Sequence, residues 1–151
     1  STGRTTKGWA GMSRSRRCRR RLPRTLSILL CALHATGKHD EVIKAASGPY
    51  SFYFPDVKEA LARGYAEEGY AGAWRRAADI EVSRHAEEPG IAYWAASDYM
   101  FAGDAARALD WLEKAADARD PNAPYIACDP TFDPLRTEPR FQALLKKFDT
   151  N

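Results

Sequence analysis

The side chains that could do chemistry in this chain are its histidines and an acidic stretch around one cysteine. The histidines share no metal-ligand spacing and so predict no metal site; they are His34, His39 and His85. Cys128 lies next to Asp129 and close to Asp133, an arrangement that suggests a nucleophile or a metal ligand. Both aspartates precede prolines, which explains them as turn residues, and Cys128 is interpreted as a small buried apolar residue.

Catalytic motifs are also lacking in the sequence. It contains no glycine-rich phosphate loop, no HExxH and no GxSxG. The acidic pairs at 67–68 and 87–88 are predicted to lie at helix ends, where water solvates them. The sequence therefore predicts a protein that is not an enzyme and that uses no cofactor and no metal.

The cysteines bear on the compartment. There are three of them at irregular spacing, Cys18, Cys31 and Cys128, and no CxxC pair occurs. An odd, irregular set argues against a disulfide framework. A reducing environment fits best, which predicts a cytoplasmic protein.

Charge is distributed unevenly along the chain. Residues 1–24 carry nine lysines and arginines and no acid, whereas the remainder carries 14 basic and 20 acidic residues, a net charge of −6. Residues 1–22 also lack apolar periodicity, which predicts a flexible basic arm. The arginines of this arm that could act electrostatically are Arg14, Arg16, Arg17, Arg19, Arg20 and Arg21.

The basic arm carries an alternative hypothesis for function. An arginine run neutralises phosphates without sequence specificity, but no aromatic residues are interleaved with it for base stacking. The arm could instead dock on the acidic body of a neighbouring copy, because the two charges are complementary. The alternative is thus a nucleic-acid-associated or self-associating protein, with nucleic-acid binding ranked low.

The junction of the arm with the following segment allows two interpretations. A basic run at 16–24 followed by an apolar run at 26–33 resembles the start of a signal peptide. The apolar run is too short to span a membrane. We favour a first helix, because four leucines recur there at helical spacing: Leu26, Leu29, Leu30 and Leu33.

Glycines then divide the chain at a nearly constant interval. Gly37, Gly69 and Gly103 are separated by 32 and 34 residues, and each is predicted to join two helices. The aromatic segment 50–54 has no partner strand, so it is interpreted as a connector packed on the core. A helix–turn–helix unit that repeats about every 34 residues is typical of tetratricopeptide repeats, or TPRs.

Two motifs resemble that family. The turn and second helix of repeats one and three match its pattern; they read Gly37-x-x-Asp40-Glu41-x-Ile43 and Gly103-Asp104-x-x-x-Ala108-Leu109-x-x-Leu112-x-x-Ala115. The ending from Asp129 to Leu145, DPTFDPLRTEPRFQALL, resembles the close of bacterial TPR regions attached to serine/threonine kinases, winged-helix regulators or adenylate cyclases.

The resemblance implies an all-α fold, a right-handed TPR-like solenoid of three helical hairpins with a capping helix. Its repeats cover about 23–49, 55–87 and 89–120, and the cap covers 137–149. Phe132 and Leu135 are expected to tuck against the last repeat. Stacked hairpins leave a concave groove lined by the first helix of each pair.

The groove supplies the favoured function, a non-catalytic protein–protein interaction module for a peptide or protein. The register of the glycines predicts that eight residues line it: His34, Glu59, Arg63, Glu67, Tyr93, Ser97, Met100 and Phe101. Ser27 and Cys31 are predicted to face the same way. An acidic middle and an aromatic end suit a partner with basic and apolar residues. The alternative for part of this set is packing against the last helix or the aromatic connector.

Overall fold

The computed structural model of this protein describes residues 25–149, and over that range the chain is all-α, as predicted. The basic arm lies outside the described residues. The α-helices are α1 (Thr25–Ala35), α2 (His39–Ala46), α3 (Pro55–Arg84), α4 (Ile91–Phe101), α5 (Ala105–Asp117) and α6 (Pro139–Asp149). Two 3₁₀-helices separate the last two, η1 (Ala123–Tyr125) and η2 (Pro130–Leu135).

The three glycine turns are present where the sequence predicts them. Gly37, Gly69 and Gly103 have φ of 73°, 81° and 76°, and a Cβ added at any of them would meet nothing within 4 Å. These positive values belong to the left-handed region, which only glycine occupies at no steric cost. Gly69 lies inside α3 and divides it into two helical segments, 55–68 and 70–84.

Consecutive helices pack against one another along the chain, from α1 on α2 through to α5 on α6. One core cluster joins α1, α2 and α3 around Leu30, Leu61 and Trp74. A second joins α4, α5 and α6 and includes Phe132 and Leu135 of η2. The prediction that these two residues tuck against the helices before them is confirmed, since both are buried.

The aromatic connector between α2 and α3 also packs as expected. Tyr53 is buried and Phe52 and Phe54 are half-buried against the first core cluster, whereas Tyr50 is 97% exposed. Three aromatic residues of one irregular segment are thereby fixed on the core. None of the described helices is long and apolar enough to cross a membrane.

Candidate functional site

A cavity of about 500 Å³ lies between α1, α4 and η2, and we call it the α1–α4 cavity. Its walls are mostly apolar and come from segments 100 residues apart in sequence. The lining residues are Cys31, His34, Ala35, Met100, Phe101, Pro130, Thr131, Asp133 and Pro134. A hydrogen bond closes one side of it, 3.0 Å between the Sγ of Cys31 and the Oγ1 of Thr131.

The structure brings some of the predicted groove residues together in this cavity. His34, Met100 and Phe101 all line it, and the rings of His34 and Phe101 meet edge to face at 4.9 Å. Cys31, one helical turn before His34, lines it as well. Ser27 lies elsewhere on α1, and its hydroxyl is buried without a hydrogen-bond partner.

The three predicted groove residues of α3 lie exposed on its surface instead. Glu59 and Arg63 pair with each other at 3.3 Å, one turn apart. Glu67 pairs with Arg76 at 2.7 Å across the Gly69 break. Exposed pairs of this kind contribute little to stability, so these groups are available to a charged partner.

Tyr93 and Ser97 are buried in the core and do not line the cavity. Tyr93 is 2% exposed, donates its hydroxyl hydrogen bond to Asp129, and packs edge to face on Phe132 at 5.6 Å. The segment that contains η2 covers this stretch of α4, which the glycine register could not reveal. A substitution of Tyr93 would therefore disturb the packing of the core rather than a contact with a ligand in the groove.

His34, which lines the cavity, contacts a cluster of histidine and tyrosine rings near the first glycine turn. The Nδ1 of His34 lies 2.7 Å from the hydroxyl of Tyr70, and the ring of His39 stacks on Tyr70 at 3.7 Å. Burial, together with the neighbouring His39, lowers the pKa of His34. The imidazole of His34 is therefore neutral at physiological pH.

The thiol in the cavity is also uncharged. Burial raises the pKa of Cys31 to about 11, against the opposing effect of the Thr131 hydrogen bond, and the carboxylates of Asp129 and Asp133 raise it further. A thiol nucleophile needs a lowered pKa. Cys31 and His34 together therefore form a polar, neutral wall, suited to binding rather than to nucleophilic attack.

The second cysteine of interest is not reactive either. Cys128 is buried, as predicted, and its Sγ lies 3.4 Å from the carbonyl oxygen of Tyr125. Cys31 is a free cysteine.

The sequence argument missed a buried carboxyl pair between α3 and α4. Glu81 is 2% exposed and Asp98 is 0% exposed, and the hydroxyl of Tyr53 donates a 2.7 Å hydrogen bond to the Oδ1 of Asp98. Burial and the mutual repulsion of the two groups raise the pKa of Glu81 well above its ordinary value. One feature of the sequence could have indicated this buried group, because Asp98 is the single charged residue of the mostly apolar helix α4.

Glu81 also lines a second cavity of about 140 Å³, which we call the aromatic cavity. It lies where the aromatic connector meets the loop between α3 and α4. Its lining residues are Phe52, Tyr53, Phe54, Glu81, Glu88, Pro89, Ile91 and Trp94. The two cavities share no lining residue.

Within residues 25–149, no group of three or more histidine, cysteine, aspartate or glutamate side chains is placed to hold a metal ion. The arginines predicted to act electrostatically all fall in the arm, outside the described residues. Comparisons with protein-family models, with curated proteins and with solved structures find no match to this chain.

Proposed function

We propose that this protein is a non-catalytic protein–protein interaction module with a TPR-like architecture, whose partner segment docks in the α1–α4 cavity. The three helical pairs of the proposed solenoid are α1 with α2, the two segments of α3, and α4 with α5. The observation that carries the proposal is the cavity itself, which is lined by three of the predicted groove residues.

The size and lining of the cavity support a side-chain anchor. Its volume of about 500 Å³ is in the range of typical ligand pockets, about 300–1,000 Å³. Met100, Phe101 and two prolines make most of its wall apolar. Interfaces draw most of their affinity from a few anchors that fill such pockets, so an aliphatic or aromatic side chain of the partner is the expected occupant.

The net charge of the described part of the chain supports a basic partner. Residues 25–149 carry a net charge of −6, and Glu59 and Glu67 are exposed on α3. Complementary charge mainly speeds association and sets specificity. The proposed ligand is therefore a segment with one bulky apolar residue flanked by lysine or arginine.

The chemistry of the cavity walls favours binding over catalysis. Burial holds both Cys31 and His34 in their neutral forms. Neutral groups of this kind complement apolar and uncharged polar side chains, and the neutral thiol of Cys31 is not prepared to attack an electrophile at neutral pH.

The proposal is tested by selecting ligands from a random peptide library displayed on phage, followed by fluorescence anisotropy with the enriched peptide. Ala35 is exposed at the rim of the cavity, so Ala35→Trp should block its mouth without disturbing the core. We expect at least a tenfold loss of affinity with Ala35→Trp. The matched control is Ala106→Trp on the exposed face of α5, which should stay within about twofold of the wild type.

Two results would overturn the proposal. One is equal affinity for the wild type and Ala35→Trp, which would place the peptide elsewhere. The other is a selection that enriches no sequence preference over an unrelated helical protein.

A further inference from the structure

The aromatic cavity combines ring walls with an acidic floor, a combination that the α1–α4 cavity lacks. Rings from the connector and from α4 converge on it, with the centroids of Phe52 and Trp94 4.9 Å apart and tilted by 45°. Tyr53 continues the wall, 4.7 Å from Phe52. Phe54 is held in place by stacking on His85 at 3.9 Å. The walls are therefore fixed before any ligand arrives.

The floor contains the carboxyl group of Glu81, which is hydrogen-bonded to Asp98. The Oε2 of Glu81 and the Oδ2 of Asp98 are buried, and neither accepts a hydrogen bond from any other described residue. Buried polar atoms with so few partners are uncommon in native proteins. A cation supplied by a ligand would stabilise the ionised form of the pair.

The charge of the cavity has one sign. Glu81 and Glu88 are acidic, and none of the described residues that line it is basic. The nearest imidazole, His85, is already paired with Asp56 at 2.9 Å. When Glu81 ionises, its negative charge therefore has no counter-ion among the described residues that line the cavity.

We propose that the aromatic cavity binds the head group of an organic cation, an alkylated ammonium or a guanidinium, between its rings and the Glu81 carboxylate. Ring faces attract such cations through their quadrupoles, and aromatic cages are the characteristic receptors for alkylated ammonium groups. The carboxylate adds a charge-assisted contact. This site does not depend on the α1–α4 cavity or on the function proposed for it.

The volume of the aromatic cavity limits the size of the group that it can hold. At about 140 Å³, the aromatic cavity is smaller than the pockets that enclose a whole drug-sized ligand. It therefore takes a head group only, with the rest of the ligand outside. The head group could be a free small cation or the end of a lysine or arginine side chain, and the experiment separates these two sources.

Binding should be coupled to proton release from the carboxyl pair. The titratable groups that face Glu81 are Asp98 from α4, Tyr53 from the connector, Asp56 at the start of α3 and Glu88 at the rim. A bound cation favours the ionised form of the pair, so its affinity rises with pH from 6 to 8. This rise should disappear when Glu81 can no longer ionise.

The test is a titration of the full chain with tetramethylammonium chloride, followed by the indole N–H resonance of Trp94. The uncharged molecule of similar shape, tert-butanol, is the control ligand. We expect saturable shifts with the cation and at least tenfold weaker binding of the alcohol. The second arm of the experiment uses N-acetylated amides of trimethyl-lysine and of arginine. If either amide binds more tightly than tetramethylammonium, the site is assigned to a lysine or arginine side chain of a partner.

Substitutions distinguish the contribution of the acidic floor to binding from that of the aromatic walls. Glu81→Gln keeps the shape and should weaken tetramethylammonium binding about tenfold, and Phe52→Leu, which removes a ring from the wall and leaves Trp94 in place as the reporter, should weaken it at least fivefold. Trp111→Leu, at a half-buried position on α5 outside the cavity, should change it less than twofold. Circular dichroism confirms that each variant is folded. Equal binding of the cation and the alcohol, or unchanged binding by folded Glu81→Gln, would overturn the proposal.

Discussion

Replacement of Glu81 by glutamine should remove a pH-dependent instability from the core. Glu81 and Asp98 are both buried, and the charged forms of the two groups repel each other. Burial raises the pKa of Asp98 to about 7 from an ordinary 3.8, while the hydrogen bonds from Tyr53 and Glu81 limit the rise. The folded chain therefore keeps protons that the unfolded chain releases.

The size of the effect follows from that difference. Between about pH 4 and pH 7 the unfolded state loses the Asp98 proton and the folded state retains it, so the free energy of unfolding falls as the pH rises. A difference of about three pKa units corresponds to about 4 kcal/mol, at 1.36 kcal/mol per unit. Glu81, whose pKa is also raised, adds to the loss in the same direction.

The glutamine variant changes this balance because an amide donates a hydrogen bond without carrying charge. In Glu81→Gln, the amide N–H is placed to donate to the Oδ2 of Asp98, while the hydroxyl of Tyr53 already donates to its Oδ1. Donors to the charged form lower a carboxyl pKa. We expect the variant to match the wild type near pH 4 and to exceed it at pH 8 by up to about 4 kcal/mol.

Urea unfolding followed by circular dichroism at several pH values from 4 to 8 measures the effect. The control is Glu87→Gln, because Glu87 is exposed in the loop after α3 and should leave the pH profile of the wild type unchanged. Subtracting the pH profile of the wild type from that of each variant removes the contributions of groups that titrate in both proteins. A Glu81→Gln profile as steep as that of the wild type would refute the reasoning, as would a variant less stable at pH 8.

Two further predictions concern the turn and the histidine wall. Gly103→Ala should lower the free energy of unfolding by about 1–2 kcal/mol, because φ is 76° there and alanine is strained in the left-handed region. Gly103→Asn should cost less, and equal urea midpoints for wild type and Gly103→Ala would contradict this. Since burial lowers the pKa of His34, its contribution to stability is present above about pH 6.5 and is lost as the pH falls through the lowered pKa. His34→Gln should therefore lose less stability than the wild type between pH 7 and pH 5 in the same assay, and a larger loss would contradict the prediction.

The helices could be predicted from sequence because local residues fix them. Glycine at positive φ ends a helix, and proline starts one. These two rules place the breaks at Gly37, Gly69 and Gly103 and the start of α3 at Pro55, as the structure has them. They also place the start of α4 within a residue or two of Pro89.

The candidate sites could be predicted only in part because they depend on contacts distant in sequence. Cys31 and Thr131 meet across 100 residues, and no local pattern encodes that contact. The helical register put His34, Met100 and Tyr93 in one predicted groove; His34 and Met100 line the α1–α4 cavity, whereas Tyr93 is buried beneath η2. The buried carboxyl pair was hidden for a similar reason, since the pattern of α3 does not show that Glu81 faces Asp98.

The two cavities lie along one stripe of α4. Trp94 borders the aromatic cavity and Phe101 borders the α1–α4 cavity, and residues seven apart share a helix face. At about 1.5 Å per residue, the two side chains start about 10 Å apart along the axis, which an extended segment of about three residues spans. A single partner with a basic residue three or four positions from a bulky apolar one would therefore fill both cavities. For such a partner Ala35→Trp and Glu81→Gln should each weaken binding of the same peptide, with losses that add in the double variant, whereas separate ligands would each lose affinity with only one of the two variants.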